Sequence, residues 1–299
     1  MVDAAYSDIW YQSADTRLKL YARDYGGTGM PVLCMHGLTR NSADFEWIAA
    51  YLAKRYRVIS VDQRGRGKSQ WDDQPGNYNP GMYVQDMFKL MGELGLARTA
   101  IIGTSMGGLM AMIMGAMAPQ AVIGMVINDV GPEIDPVGLK RIAGYTGKGV
   151  VVSSWAEAAL RAKDVNGIAF PNYRDEDWLD FARRTYEVDA QGLIKPAYDL
   201  AIAKAFAPPD PDAEPAPAVA PPDLWGMWDA LEGLPILTVR GELSDLLSAQ
   251  TLEKMAERHA GMAQATITGR GHAPMLDEGE AVMAIDQFLM KLEALERPF

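Results

Sequence analysis

Short apolar runs alternate with helical patterns along most of the chain, and this alternation restricts the fold more than any other feature. Residues 31–36 and 57–62 are continuous apolar runs, as expected for strands that are covered on both faces. Later runs lie at 99–102, 122–129, 235–240 and 265–268, with helical patterns at 41–55, 80–93, 248–259 and 279–295. Such alternation predicts an α/β fold with a mostly parallel sheet, whose functional sites lie at the carboxyl ends of the strands.

Two further segments and one long interval complete this plan. Residues 8–13 and 17–25 alternate apolar and polar side chains, which predicts a hairpin of half-buried strands and brings the sheet to eight strands. Between the sixth and seventh strands the alternation stops, although 154–163 and 175–187 have helical patterns and aromatic residues that can cover a pocket. We therefore expect a core domain of residues 1–131 and 229–299, with a helical cap inserted at 132–228. Seven of the sixteen residues in 207–222 are proline, which predicts an extended return segment.

Composition excludes several classes of function. The chain has 48% hydrophobic and 22% charged residues, values typical of a globular protein. Its net charge of −11 disfavours nucleic acid as a partner. Cys34 is the single cysteine and lies in an apolar strand, so we expect an inert, buried thiol with no disulfide and no thiolate metal site. Since neither a signal peptide nor a run of about 18 apolar residues is present, we expect a cytoplasmic protein without a membrane segment.

A glycine-rich turn follows the strand at 99–102. Its sequence is Gly103-Thr104-Ser105-Met106-Gly107, with Gly108 next and an apolar helix after it. A serine between a parallel strand and a helix needs neighbours without Cβ atoms where the two backbones approach closely. Such a turn holds the hydroxyl of Ser105 at the carboxyl edge of the sheet as a candidate nucleophile. Glycine-rich turns also bind phosphates or simply pack closely, so the other motifs must decide.

A serine nucleophile needs a base and a group that orients the base, and few residues qualify. Of the three histidines, His36 ends a strand and has an expected structural role, while His259 occupies the last turn of a helix. His272 lies in a glycine-rich loop after a strand. A solvent-facing loop histidine is the alternative, but elimination of the other two makes His272 the candidate base. The candidate acids are Asp245, ranked first, then Asp129 and then Glu242, all near strand ends.

These motifs together resemble the α/β-hydrolase superfamily over nearly the whole length. The resemblance rests on His36-Gly37 after the third strand, Asp62–Ser69 after the fourth, the serine turn, and the acid and histidine loops, in the order Ser105, Asp245, His272. Within the superfamily the chain resembles small bacterial esterases and the 3-oxoadipate enol-lactonase group. The resemblance implies an oxyanion hole formed by the backbone N–H groups of Leu38 and Met106.

Departures from other branches narrow the expected chemistry. Ser105 stands where haloalkane dehalogenases and most epoxide hydrolases of this fold have aspartate, and Leu38 interrupts the Gly-Gly-Gly loop of one lipase branch. The spacing in Asp62–Ser69 is that of a structural turn and not of a dinucleotide fingerprint, so no cofactor and no metal are expected.

We therefore expect a serine hydrolase that cleaves a partly apolar carboxylic ester or lactone through an acyl-enzyme. The alternatives are a carbon–carbon bond hydrolase of a ring-fission product, and a ligand-binding homologue with little turnover. Four arginines are candidates for binding a substrate carboxylate, although each is more typical of solvated helix surface: Arg141, Arg161, Arg183 and Arg184.

Overall fold

A computed structural model describes residues 5–206 and 223–296 and contains an eight-stranded sheet. The strand order is β1-β2-β4-β3-β5-β6-β9-β10. The strands are β1 Ser7–Gln12, β2 Lys19–Asp24, β3 Pro31–Met35, β4 Arg57–Asp62, β5 Thr99–Thr104, β6 Val122–Asn128, β9 Ile236–Gly241 and β10 Ala263–Ile267. Strand β2 pairs antiparallel with β1 and β4, and all other neighbours in the sheet are parallel. The predicted α/β fold is confirmed, including the hairpin at its edge.

Helices cover both faces of this sheet, as expected from buried parallel strands. One face packs against α2 Pro80–Glu93 and α3 Met106–Met117, whose core also contains Leu252 and Met255 of α8 Ala249–Arg258. The other face packs against α1 Glu46–Leu52 and α9 Gly279–Glu296. The methionines of α3 fill the core between the sheet and the helices α2 and α3. Met110, Met112 and Met114 are fully buried, whereas Met117 is exposed. Helix α2 begins where the sequence predicts, because the Asn79 side chain accepts a hydrogen bond from the N–H of Met82.

The segment between β6 and β9, which we call the insertion, is mainly helical in its described part. It contains α4 Pro136–Tyr145, α5 Trp155–Asn166, α6 Asp175–Thr185, a hairpin of β7 Tyr186–Val188 and β8 Ile194–Pro196, and α7 Leu224–Asp229. The helix predicted at 175–187 ends two residues early because Tyr186 begins β7. The insertion has its own aromatic core of Phe170, Trp178 and Phe181. The proline-rich segment 207–222 lies outside the described residues, and the domain boundaries remain a prediction.

Several hydrogen bonds join the insertion to the sheet. Arg141 of α4 forms a bidentate ion pair with Asp245, at 2.6 and 2.8 Å, and the N–H of Gly138 donates to the carbonyl oxygen of Asp245. The N–H of Gly271 donates to the carbonyl oxygen of Ala169 at 2.8 Å. These contacts fix the insertion over the carboxyl edge of the sheet. Among the residues described, no helix is long and apolar enough to cross a bilayer.

Candidate active site

Ser105 lies in a strained turn between β5 and α3. Its backbone has φ 53° and ψ −114°, in the left-handed region that residues with a side chain seldom adopt. The surrounding glycines are required by space: a Cβ on Gly103 would overlap the carbonyl of Gly107, and a Cβ on Gly107 would overlap the carbonyl of Met35. The N–H groups of Gly108 and Leu109 donate to the Ser105 carbonyl, so the helix starts directly beneath the hydroxyl. This is the turn geometry that the glycine spacing predicts.

The loop after β10 brings His272 onto the Ser105 hydroxyl. The distance from His272 Nε2 to Ser105 Oγ is 2.9 Å, and the imidazole side chain is 7% exposed. The other ring nitrogen, Nδ1, is 2.9 Å from Oδ2 of Asp129. A carboxylate can only accept, so Nδ1 carries the proton and Nε2 presents its lone pair to the hydroxyl. This tautomer is the one that can take a proton from the serine.

Asp129, at the end of β6, is therefore the carboxylate that contacts the imidazole. It is fully buried, has φ 60°, and accepts from the N–H of Gly241 at Oδ1 (2.8 Å) and from the hydroxyl of Ser244 at Oδ2 (2.7 Å). Three hydrogen bonds compensate for the burial of its charge. The N–H of Ser105 donates to the Asn128 carbonyl at 2.8 Å, so β5 and β6 fix nucleophile and acid relative to each other.

The sequence-based ranking placed Asp245 first as the acid, and this is wrong because Asp129 is the carboxylate bonded to His272. The carboxylate of Asp245 faces the insertion, where Arg141 binds both of its oxygens. Burial raises the pKa of Asp245, but the hydrogen bonds from Arg141 outweigh that effect and hold the pKa below its usual value. Glu242, ranked third, is exposed and accepts from the N–H of Gly269 at the rim of the loop. Neither carboxylate bonds to His272 in the part of the chain described.

Two adjoining cavities lie in front of the serine. The inner one, of about 70 Å³, contacts Ser105 and His272 and has mostly apolar walls, including Ile142, Phe170 and Met275. The outer one, of about 260 Å³, runs through the insertion. The residues that line both are Thr39, Arg40, Tyr145, Asn166 and Phe181. The site is thus a narrow pocket at the sheet that opens into a wider chamber under the helices.

Comparison with known proteins agrees with this architecture. Residues 32–285 match the alpha/beta hydrolase family. The chain belongs to that family. It is 32% identical to 3-hydroxybutyrate-oligomer hydrolase of Cupriavidus necator, over 86% of this chain and 87% of that protein. It is 28% identical to 2-(acetamidomethylene)succinate hydrolase of Mesorhizobium japonicum, over 86% of both chains. An alpha/beta hydrolase structure from Novosphingobium aromaticivorans superposes with a TM-score of 0.88 at 41% identity, covering 96% of this chain and 99% of that one.

The loop that the alpha/beta hydrolase resemblance assigns to the oxyanion hole lies beside the nucleophile. A Cβ on Gly37 would be 3.6 Å from the Cβ of Ser105. In the described ranges, the N–H groups of Leu38 and Met106 donate to no protein acceptor, unlike most buried backbone donors. Leu38 lines the inner cavity, and Met106 directly follows Ser105 in the chain.

Arg66 is a residue near the site whose role the sequence did not predict. Its guanidinium is fully buried, and its Nε donates to the Leu38 carbonyl at 2.9 Å. Its Nη2 is 3.7 Å from the Sδ of Met106, and its Nη1 donates to the hydroxyl of Tyr83 at 2.8 Å. One side chain thus holds both residues that carry the free N–H groups. The turn at Asp62–Ser69, from which Arg66 comes, has the structural role expected, since Asp62 accepts from the N–H of Lys68.

The remaining sequence candidates have structural surroundings. His36 is buried, its Nε2 accepts from the N–H of Gln63 and its Nδ1 bonds the Gly37 carbonyl; burial lowers its pKa to about 3. His259 directly follows the last residue of α8, is 5% exposed, bonds the Leu231 carbonyl through Nε2 and packs on Trp228. Cys34 is buried in β3, and burial raises the pKa of its thiol.

Proposed function

We propose that this chain is a serine esterase that uses Ser105, His272 and Asp129 as its catalytic triad. The observation that supports this most is the continuous hydrogen-bonded chain of hydroxyl, imidazole and buried carboxylate, with 2.9 Å at both joints. A serine hydroxyl becomes nucleophilic when a base within hydrogen-bond reach can take its proton. Esterases among the relatives, such as one from Mycobacterium tuberculosis that is 25% identical over 87% of this chain, agree with the same chemistry.

The reaction follows from the positions of these groups. Oγ of Ser105 attacks the ester carbonyl carbon while Nε2 of His272 takes the hydroxyl proton, and Asp129 stabilises the resulting imidazolium. We assign the N–H groups of Leu38 and Met106 to the oxyanion, since both donors are free and flank the nucleophile. Collapse of the tetrahedral intermediate breaks the carbonyl carbon–oxygen bond, and His272 gives its proton to the departing alcohol. Water then attacks the acyl-enzyme by the same route and releases the acid.

The substrate we propose is an ester of a short hydroxy acid. The C. necator relative is named for hydrolysis of 3-hydroxybutyrate oligomers, and the alignment covers most of both chains. The inner cavity of about 70 Å³ has apolar walls and suits a small acyl group, while the outer cavity has room for a longer alcohol part. We also propose that residues 132–228 act as a cap over the site, since residues in the described part of this segment, such as Ile142, Phe170 and Phe181, form these walls. A lactone is a cyclic ester and would pass through the same steps.

The test is hydrolysis of p-nitrophenyl acetate, butyrate and octanoate by the wild type and by Ser105→Ala. We expect the variant to lose at least about 1000-fold in kcat, because the hydroxyl forms the covalent bond. Ser7→Ala, an exposed serine on the edge strand β1, is the matched control and should keep full activity. A fluorophosphonate should add one phosphonyl group to the wild type and none to Ser105→Ala.

Equal turnover by the wild type and Ser105→Ala would refute the assignment of the nucleophile. If both folded proteins were inert on every ester and on 3-hydroxybutyrate oligomers, esterase activity itself would be excluded.

A further inference from the structure

The outer cavity has two exposed cations in its lining. Lys148, in the loop after α4, and Arg161, on α5, both line it, and both side chains are exposed. Within residues 5–206 and 223–296, neither forms an ion pair or a side-chain hydrogen bond. Other cations in the described part of the insertion form ion pairs, such as Arg141 with Asp245 and Lys163 with Asp175. The two cations of this cavity are thus available to a ligand.

The other charges around the cavity leave it positive. Arg40 lines both cavities, but Asp44 binds its guanidinium through two hydrogen bonds of 2.7 Å, so that charge is already neutralised. Asp164 is the remaining carboxylate in the lining and forms no ion pair with a described residue. Apart from the paired Arg40, the lining of the outer cavity therefore has two cations and one anion. Since the whole chain has a net charge of −11, this local excess is opposite in sign to the rest of the protein.

The cavity walls between these charges and the serine are largely apolar or aromatic. Phe181 and Tyr145 line both cavities, and Val165, Tyr186 and Tyr198 also line the outer one. Apolar walls lower the local dielectric constant and strengthen an interaction with a charge at the rim. The chamber is thus suited to a molecule with an apolar chain and one anionic end.

We infer that Lys148 and Arg161 bind the carboxylate of the alcohol part of a hydroxy-acid ester, which fixes the direction in which the substrate lies. This inference rests on the esterase function proposed above and specifies its substrate. The acyl group then occupies the inner cavity at Ser105, and the alcohol part extends through the outer cavity with its carboxylate at the rim. His272 protonates the alcohol oxygen as the carbonyl carbon–oxygen bond breaks, so the first product is a free hydroxy acid that leaves past Lys148 and Arg161.

In this orientation the enzyme hydrolyses the ester bond nearest the free carboxylate of a hydroxy-acid oligomer. A linear 3-hydroxybutyrate dimer is the simplest substrate of this kind, and its methyl ester is the matched neutral compound. We expect the wild type to have a lower KM for cleavage of the internal ester in the free acid than in the methyl ester. Added sodium chloride should raise the KM for the acid and leave that for the methyl ester unchanged.

Charge-removing variants test the two cations directly. Lys148→Gln and Arg161→Gln should each raise the KM for the acid about threefold, and the double variant about tenfold, with kcat within about twofold. The methyl ester and p-nitrophenyl butyrate should be unaffected. Arg161→Lys should restore most of the loss, and Asp164→Asn should lower the KM for the acid about twofold. Lys140→Gln, an exposed cation of α4 outside the cavity lining, is the matched control and should change nothing.

Binding provides a readout that does not depend on turnover. Calorimetry with Ser105→Ala should give a dissociation constant for the dimer acid that rises about tenfold when both cations are replaced. Equal wild-type KM values for the acid and the methyl ester, or equal losses on both in the double variant, would overturn the inference. If Ser105-dependent hydrolysis of p-nitrophenyl esters persists in that case, the esterase proposal stands and only the carboxylate subsite fails. If all esters are inert, the binding experiment still decides the subsite.

Discussion

Replacement of Asp129 by asparagine separates the two candidate acids, and the structure predicts how the variant fails. Oδ1 of Asp129 accepts a backbone hydrogen bond from Gly241, and this donor cannot turn away. The asparagine must therefore keep its carbonyl oxygen at that position. Its NH₂ group then occupies the place of Oδ2, facing Nδ1 of His272 and the hydroxyl of Ser244. The hydroxyl oxygen of Ser244 already accepts from the N–H groups of Leu246 and Leu247, so the variant also loses the hydrogen bond between Ser244 and position 129, although the shape of the side chain is kept.

The asparagine changes the tautomer of His272. An amide N–H that donates to Nδ1 forces the imidazole to hold its proton on Nε2, and that nitrogen can no longer accept a proton from Ser105. A triad with this wrong tautomer typically loses about 10⁴ in kcat. That factor corresponds to about 5 kcal/mol in the activation free energy. We expect the KM for p-nitrophenyl butyrate to stay within about threefold, because Asp129 does not contact the cavity.

Asp245→Asn is the matched control, since it removes the same charge from the neighbouring loop. Its ion pair with Arg141 is about one fifth exposed on each side, so its loss should lower the free energy of unfolding by about 1 kcal/mol. The kcat for the neutral ester should stay within about threefold. Steady-state kinetics and urea unfolding of both variants measure these quantities. Loss of activity in Asp245→Asn with full activity in Asp129→Asn would refute the assignment of the acid.

Three further changes test the surroundings of the site. Gly107→Ala should abolish stable folding or activity because its Cβ would overlap the Met35 carbonyl, whereas Gly92→Ala, with open space around it, should stabilise α2 by about 0.5–1 kcal/mol in urea unfolding. Burial lowers the pKa of His36 from 6.5 to about 3, so between these two pH values the unfolded chain binds a proton that the folded protein does not. The free energy of unfolding should therefore decrease as the pH is lowered from 6.5 to 3, by about 1.4 kcal/mol per pH unit near pH 5. His36→Gln should remove this contribution to the pH dependence. Arg66→Leu should lower kcat about 100-fold with little change in KM if it holds the oxyanion donors, and an unchanged kcat in the folded variant would contradict that role.

The sequence was sufficient for the serine turn and for the sheet around it because both depend on local rules. Gly103 is required by the backbone of Gly107 in the same turn, whereas Gly107 and Gly108 are required by the Met35 carbonyl of β3 and by the side chain of Val130. The spacing of the three glycines predicts the turn without identifying these neighbours. The strand β4 and the helix α2 have the predicted bounds, since continuous apolar runs and an asparagine–proline cap mark them clearly.

The acid could not be ranked correctly because the deciding contact is not local. Strands β6 and β9 are adjacent, so their carboxyl ends bring Asp129 and Asp245 to the same edge of the sheet. Which carboxylate meets the imidazole depends on Arg141, which comes from the insertion, where the sequence pattern was weakest. A β-strand that ends in Asn-Asp at the carboxyl edge was the available signal. Ser244 and Arg66 gave none, because their roles depend only on what lies beside them in space.

The hydrogen bond from the N–H of Gly271 to the Ala169 carbonyl means that His272 is positioned by the insertion, whereas Ser105 and Asp129 are positioned by the sheet. Nucleophile and acid are fixed by neighbouring strands, through the bond from Ser105 to Asn128, and do not depend on the insertion. The base lies on a loop whose backbone is tied to the insertion one residue before His272. Replacing the insertion with that of a relative would therefore leave serine and aspartate in place and shift the imidazole. A chimaera of this kind will need the carbonyl at position 169 restored before its new pocket can be used.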